Sequence, residues 1–435
     1  MRLLLVGNLY PPHFLGGYEI LCRNVALELR ARGHEVEVLT SDWGVGRPRS
    51  EEEDRIPVHR RLHLEEDFHR PFRMDRRRRR AVARFNRRET LRWIQRTKPD
   101  LVFLWSQLRL TAGPLRAAAD SGLPAAWSLN DPHAAGLLAA PPRPQPRGLL
   151  RFLADRTWDR SAALPPSRLP RCTVISASLR DELVSAGLPF GKARVIYQGI
   201  PLEQFPLKTK PGSIHMPLRV LYTGQLHPWK GVHTLLEAVR LAGARLGPGA
   251  LEVTLAGAGE EAYLRRLERL AEGPARVRFL GRVAPDRVSA LYREHDLFVF
   301  PSTWREPFGL THLEAMASGT PVLSTTGGGP GEFLVDGENA LTFPAESPVP
   351  LASALLQLHR DADTRVELAR NARRLVEERF TLERYLDELE DFLHETLHHA
   401  TSQDHRDPAP LRPARLGRDG DRRARDRQAP APARA

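Results

Sequence analysis

The sequence predicts an α/β protein made of two Rossmann-like, doubly wound domains facing a central cleft. Three observations predict it. Strand-like and helix-like segments alternate through residues 1–200. A Pro-, Lys- and Gly-rich break without periodicity follows, PLEQFPLKTKPGSIHMP (201–217), and then the alternation starts afresh. Such alternation implies parallel sheets with helices on both faces. The length, 435 residues with 41% apolar content, accommodates two or three domains of roughly 150 residues, each able to bury a core.

The elements follow in order. RLLLVG (2–7) reads as a buried strand, and 18–32 has helical periodicity stopped by Gly33. HEVEVLT (34–40), DLVFLW (100–105), PAAWSLN (124–130) and TVIS (173–176) read as strands. A helix over 178–186 and ARVIYQG (193–199) complete a first domain over 1–205, and 206–217 is the linker. The second domain, 218–380, holds the strands LRVLYTG (218–224), LEVTLAGAG (251–259), RVRFLG (276–281), DLFVFPS (296–302), TPVLST (320–325) and ALTF (340–343), with a helix over 232–244. An amphipathic helix over 381–399 is expected to cross back onto the first domain. The tail, 401–435, mixes Arg, Asp, Pro, Ala and Gly with almost no aromatics and is expected to be disordered.

Composition excludes several classes. The two cysteines, Cys22 and Cys172, are far apart and in no ligand-like spacing. That argues against a disulfide framework or zinc site and for a reducing compartment. MRLLLVGNLYPP is too short an apolar stretch for a signal peptide or a membrane span, so a cytoplasmic protein is expected. The net charge of +12 is concentrated in the tail and in RMDRRRRRAVARFNRRETLRW (73–93). With Val82, Phe85, Trp93 and Ile94 as an apolar stripe, a helix there could lie peripherally on an anionic membrane at its inner face. It could equally be a solvated helix whose arginines meet Glu65, Glu66 and Asp67. Nucleic acid is not an expected partner, because no stacking-aromatic motif, helix-turn-helix or zinc spacing accompanies the charge.

The chemistry concentrates in REPFGLTHLEAMASGTP (305–321). Pro307, Phe308 and Gly309 read as a turn, and a helix starts near Gly309 or Leu310. Its first backbone N–H groups are unpaired and its dipole end is positive, which suits a phosphate. Gly309 lets a ligand approach the backbone. Glu314, one turn in, could accept hydrogen bonds from vicinal hydroxyls such as those of a ribose. Glu306 could face the group beyond the phosphates. An isolated pair of glutamates here would be only two dipole-favoured acids. Gly16 and Gly17 could bring backbone N–H groups to a diphosphate from the opposite domain, or mark an ordinary turn.

The pair is not isolated. EPFGLTHLEAMASGTPVLST (306–325) resembles the signature of the retaining GT-B glycosyltransferases that use nucleotide sugars, glycosyltransferase family 4 with its glycosyl transferases group 1 domain. YTGQLHPWKGVHTLLEA (222–238) resembles that family's phosphate-gripping segment. VRFLGRVAPDRVSALYREHDLFVFPS (277–302) and TTGGGPGEFLVDGENALTF (325–343) resemble the stretches before and after the signature. In the first half, PPHFLGGYEILCRNVALELRARGHEVEVLT (11–40) resembles the first glycine loop and helix, and VISASLRDELVSAGLPFGKARVIYQGI (174–200) the interdomain approach. The resemblance reaches to about residue 400 and is strongest over 218–343.

This resemblance implies roles. Glu306 would contact the transferred sugar, and Lys230 would neutralise the leaving diphosphate. Phe308, Gly309, Leu310 and Thr311 would offer backbone N–H groups, Glu314 would bind the ribose, and Arg282 and Val283 would lie near the base. Glu19 could face the acceptor or serve only its own helix start. The implied reaction moves a hexose-type sugar, with retention, from a UDP-, GDP- or ADP-type donor to a hydroxyl of a glycan, glycolipid or small molecule. No cofactor or metal is implied, and no convincing Asp-x-Asp motif is present. Two positions depart from the pattern. Gln225 stands where many relatives carry Arg, and a glutamine brings no charge. Asn130 and Asp131 stand where His-Asp is frequent; both could contact the sugar or acceptor, while His133 is left outside the catalytic set. These departures keep open a catalytically weak nucleotide-sugar-binding protein, and the charge a basic polyanion-binding protein.

Overall fold

The structure is a computed structural model, and it describes residues 1–45, 48–65, 76–138, 164–212 and 216–404. The first sheet contains β1 (Arg2–Val6), β2 (Glu35–Ser41), β3 (Arg49–Glu53), β4 (Ile56–Leu62), β5 (Leu101–Leu104), β6 (Ala125–Leu129), β7 (Arg171–Val174) and β8 (Arg194–Val195). Their order is β3-β4-β2-β1-β5-β6-β7-β8, and only the β3–β4 pair is antiparallel. The second sheet contains β9 (Leu218–Thr223), β10 (Leu251–Ala256), β11 (Arg276–Gly281), β12 (Leu297–Phe300), β13 (Val322–Ser324) and β14 (Leu341–Thr342). It is parallel throughout, in the order β11-β10-β9-β12-β13-β14. The fold is therefore α/β with two doubly wound sheets.

The helices of the first half are α1 (Gly17–Ala31), α2 (Arg76–Thr97), α3 (Gly113–Ser121), α4 (Ala134–Leu138) and α5 (Ala177–Ser185). Those of the second are α6 (Val232–Leu246), α7 (Glu261–Leu270), α8 (Pro285–Glu294), α9 (Leu310–Ala317), α10 (Pro348–Arg360), α11 (Ala362–Arg379) and α12 (Leu382–Asp404). Central strands such as β1, β5 and β9 are buried on both faces, which is why they read as continuous apolar runs.

Two strands escape a reading by apolar runs. β3, RSEEE, is a charged edge, and β4, IPVHRRL, carries three basic side chains. Arg60 of β4 is nonetheless buried. Its guanidinium pairs with Glu51 of β3 and donates to the carbonyls of Tyr10 and Pro11 at 2.9 and 2.7 Å. A buried guanidinium needs such partners for its donors.

The arginine-rich helix α2 corrects one expectation. Its apolar stripe faces the protein. Trp93 and Ile94 are buried; Trp93 stacks on His59 with ring centroids 3.8 Å apart, and Phe85 on His63 at 4.2 Å. Trp93 and Ile94 are thus unavailable to lipid, Val82 and Phe85 are half-buried, and the exposed positions of α2 are largely arginine. Arg79 pairs with Glu65 at 2.6 Å and Arg87 with Asp120 at 2.7 Å. Glu66, Asp67, the start of the 73–93 segment and residues 405–435 of the tail lie outside the described residues. Among the described residues, no helix is long and apolar enough to cross a membrane.

The chain crosses between the sheets twice, side by side. Ile200 N donates to Phe380 O and Leu382 N to Ile200 O, both at 2.9 Å. A Cβ on Gly199 would come within 2.0 Å of Thr381 O, so the two crossings approach as closely as glycine permits. After the second crossing, α12 lies against the first sheet. Leu382, Tyr385, Leu386, Leu389, Phe392 and Leu393 join Leu3, Leu5, Val25 and Leu29 in one core cluster. Arg32 adds ion pairs to Asp387 at 2.7 Å and Glu390 at 2.9 Å. Leu389→Ala should cost about 2–5 kcal/mol of unfolding free energy, read from urea denaturation. A loss below about 0.5 kcal/mol would show that α12 is a peripheral strap and not part of this core.

Candidate active site

The second sheet winds outward in both directions from the gap between β9 and β12. Loops leaving neighbouring strands there turn to opposite faces, and the crevice between them receives ligands. The loop after β9 carries Lys230 in a short 3₁₀ turn, Pro228–Lys230. The loop after β12 carries Ser302 to Gly309. These two loops meet. Lys230 Nζ lies 2.7 and 2.9 Å from the two carboxylate oxygens of Glu306, and Ser302 Oγ donates to the same carboxylate at 2.7 Å. Lys230 Nζ also stands 5.4 Å from the centroid of the Phe300 ring, a cation–π distance.

Glu306 is held through its backbone as well. Its N–H donates to Gly327 O at 2.9 Å, and its carbonyl accepts from Gly329 N at 2.8 Å. Phe308 is buried against Tyr197, Phe333 and Phe380, so its side chain anchors the loop. Gly309 is the N-cap of α9 at φ +118°, and a Cβ there would lie 2.6 Å from His312 Nδ1. No cap side chain covers this helix start. Its unpaired N–H groups, at Gly309 to Thr311, are available to an anion. His312 is buried beneath, with Nε2 2.8 Å from Ser324 Oγ, and burial pulls its imidazole down to about 3, so it is neutral.

Glu314 lies one turn into the same helix, with partners of its own. Tyr292 donates its hydroxyl proton to Glu314 Oε2 at 2.8 Å, and Thr223 Oγ1 lies 2.8 Å from that hydroxyl. Burial pushes the Glu314 carboxyl up to about 7, against the stabilising bond from Tyr292. Gln225, at the turn after β9, is exposed. Arg282, after β11, reaches across to the first domain, with its guanidinium 3.4 Å from Phe14 O; Val283 beside it is half-buried.

The first domain brings its own glycine loop to the same place. A Cβ on Gly17 would be 3.2 Å from Leu310 Cδ1, so the starts of α1 and α9 face each other. Glu19 turns back on its own helix, accepting from Gly16 N at 3.0 Å. That bond occupies the Gly16 N–H and one oxygen of the Glu19 carboxylate. Asn130 directly follows β6, buried, with its Oδ1 3.1 Å from Ser128 Oγ and 3.3 Å from Gln198 Nε2. Its amide nitrogen is buried without a partner, a donor left for something else to satisfy. Burial raises the Asp131 carboxyl to about 6, while it accepts from His133 N at 2.7 Å. His133 is pulled down to about 4 by burial.

Reading by motif missed Ser302, Thr223, Tyr292 and Glu332. Ser302 and Tyr292 bond the two glutamates, and Thr223 holds the Tyr292 hydroxyl. Thr223 and Ser302 are single hydroxyls at or just after strand ends and Tyr292 is one ring within α8, patterns too common to stand out. Glu332 follows the glycine run 327–329 and reaches into the other domain.

Comparison with known proteins bears on this geometry. Residues 204–375 match the family model described as glycosyl transferases group 1, and residues 15–204 that described as Glycosyltransferase Family 4. The chain belongs to this glycosyltransferase family. Among curated family members, it is 34% identical over 206 residues to a D-inositol 3-phosphate glycosyltransferase of Corynebacterium urealyticum, covering 43% of this chain and 48% of that one. It is 33% identical over 201 residues to a glycogen synthase of Mycobacterium tuberculosis, covering 46% and 47%. The chain thus spans about half the length of these two relatives. An uncharacterised glycosyltransferase of Methanocaldococcus jannaschii is 26% identical over 408 residues, 88% of this chain and 95% of that one. Two solved structures share the GT-B fold: sucrose-phosphate synthase from Thermosynechococcus elongatus (TM-score 0.68, 19% identity, 92% and 99% coverage) and HepE of Anabaena in complex with UDP-glucose (0.64, 20%, 91% and 100%).

The raised Glu314 carboxyl has a sign. A folded-state value near 7 lies above the unfolded one, so the native state holds this proton more tightly. The stabilisation is complete below the unfolded value and is lost as pH rises through about 7. Urea denaturation at pH 5 and pH 8 should therefore show wild type losing more stability on that rise than Glu314→Gln. Equal losses would mean that Glu314 titrates normally.

Proposed function

We propose that the protein transfers a hexose-type sugar, with retention of anomeric configuration, from a nucleoside-diphosphate sugar to a hydroxyl acceptor. The observation that carries this reading is the Lys230–Glu306 pair at the switch point of the second sheet, against the uncapped start of α9. Family membership supports nucleotide-sugar use in general. UDP, UDP-glucose and ADP occur in solved neighbours, which makes UDP- and ADP-type donors the first to try.

The residues divide the work by charge. The diphosphate would lie on the N–H groups of Gly309 to Thr311 and draw Lys230 from Glu306. Negative charge growing on the departing phosphate then meets an ammonium and a helix dipole, both fixed before the reaction begins. Glu306, released from Lys230, accepts from sugar hydroxyls and holds the anomeric carbon against the phosphate. Glu314 accepts from the ribose hydroxyls, Arg282 and Val283 flank the base, and the free amide of Asn130 donates to the sugar from the opposite domain. Gln225 adds no charge, so Lys230 and the helix start carry the neutralisation. We propose that this arrangement works without a metal ion.

A panel of nucleotide sugars, assayed in EDTA for binding and slow hydrolysis, tests the reading. One donor should bind, and Lys230→Ala and Glu314→Ala should each weaken it about tenfold or more. Binding without turnover would favour the catalytically weak alternative. No binding by wild type, or unchanged binding by both variants, would overturn the site. The exposed arginines of α2 are the part suited to an anionic surface. Salt-sensitive adsorption to anionic vesicles would support peripheral membrane contact, and none at low salt would remove it.

A further inference from the structure

The catalytic loop is tied to the first domain by a closed ring of hydrogen bonds that begins and ends beside Glu306. Glu332 lies in the 3₁₀ turn Gly329–Glu332, directly after the glycines that hold the Glu306 backbone. Its carboxylate does not stay in its own domain. It accepts from Ser178 N at 2.6 Å and from Ala177 N at 3.1 Å, the first two N–H groups of α5 in the first domain. Tyr197, on the first interdomain crossing, donates its hydroxyl proton to the same carboxylate at 2.8 Å.

The ring closes from the other side. Ser176 is the N-cap of α5, and its Oγ accepts from Leu179 N at 3.0 Å. The same hydroxyl donates across to Pro307 O at 2.6 Å. Pro307 follows Glu306 directly, and Arg305 on the other side donates to Ser178 Oγ at 2.8 Å. Both chain neighbours of Glu306 are thus bonded to the start of α5, and the start of α5 is bonded to Glu332. The glycines make the approach possible. A Cβ at Gly328 or Gly329 would come within 2.2 Å of Glu306 O or 2.5 Å of Pro307 O.

Two features mark this as more than a passing contact. A carboxylate at a helix N-terminus satisfies orphan donors and meets the positive dipole end, which normally is the task of a residue of the same segment. Here an acid from the opposite domain does it. Charge-assisted bonds to backbone N–H groups are also the stronger kind. The ring lies beside the crossings at Ile200 and Phe380, where a rotation of one domain on the other would pivot.

We infer that Glu332 is a positioning residue for the transfer step: it couples the relative setting of the two domains to the position of Glu306. The inference rests on the glycosyltransferase reading for its catalytic consequence but not for the coupling itself. Closing of the cleft would move α5, and through Ser176 and Glu332 it would move the backbone on either side of Glu306. Lys230 and Glu314, which would bind the donor, are outside the ring.

The test joins hydrogen exchange with kinetics on the full-length protein. In wild type without any ligand, the amides of Ala177 and Ser178 and those of Glu306 and Gly329, which bond to Gly327 O and Glu306 O, should be protected together. Glu332→Ala should raise exchange at both places by about tenfold or more, although Glu332 bonds only to the first. Glu332→Gln, which keeps an acceptor, should restore part of the protection. Ser176→Ala should loosen the Glu306 and Gly329 amides from the other end of the ring. Faster exchange at 177–178 with Glu306 and Gly329 unchanged would overturn the coupling, and this arm needs no donor. With the donor selected by the panel, Glu332→Ala should lower kcat about tenfold while leaving donor affinity within about twofold. An unchanged kcat, or a parallel loss of affinity, would overturn the positioning role. Failure of wild type to bind any nucleotide sugar would instead strike the glycosyltransferase reading and leave the exchange result standing.

Discussion

The ion pair between Lys230 and Glu306 is the constraint around which the site is arranged. Both side chains are largely withdrawn from water, at 17% and 11% exposure. Removing one partner of such a pair leaves an uncompensated charge at a cost of several kcal/mol. The structure meets this cost locally: Ser302 supplies a further hydrogen bond, and Phe300 presents a ring face to the ammonium. A pair so built is stable at rest yet poised for exchange. An incoming diphosphate can take the ammonium, and a sugar hydroxyl can take the carboxylate. The ligand would then give Lys230 a new counter-charge and Glu306 a hydrogen-bond donor.

The position of that pair follows from topology. β9 and β12 are neighbours in the sheet but distant in the chain, and only at this gap do loops from two strand ends diverge. The same loop after β12 ends in the uncapped helix start, so carboxylate, ammonium and backbone donors share one short stretch of space. The first domain contributes by facing this stretch with the start of α1, through Gly17 against Leu310. The double crossing at Ile200 and Leu382 and the packing of α12 on the first sheet hold the two halves at that distance.

Much of this was legible in the chain. Runs such as RLLLVG and LRVLYTG announced central parallel strands because burial on both faces removes polar residues from them. The glutamates flanking PFG were legible because a turn, a glycine and an amphipathic stretch mark a helix start with little ambiguity. β4 was hidden, because its charges are satisfied by partners far along the chain: Glu37 for His59, Glu51 and two carbonyls for Arg60. The lipid-facing stripe on α2 failed for a related reason. Periodicity identifies an apolar face but not what covers it, and here His59 and His63 of the first sheet's flank do so. Glu19 shows the limit for acids: sequence places it near the cleft, and only geometry shows its carboxylate turned back on Gly16. Glu332 was illegible as a site residue, since its partners belong to a helix that begins some 150 positions earlier.

The central claim is that Lys230 is handed from Glu306 to a diphosphate. A double-mutant cycle on affinity for the nucleoside diphosphate alone tests it most directly, by calorimetry with wild type, Glu306→Gln, Lys230→Met and the double variant. If the two acids compete for one ammonium, Glu306→Gln tightens binding and Lys230→Met weakens it. The gain from Glu306→Gln should vanish once Lys230 is gone. Should Glu306→Gln leave affinity unchanged or weaken it, or should its effect be the same with and without Lys230, the handover does not occur and the account of the site is wrong.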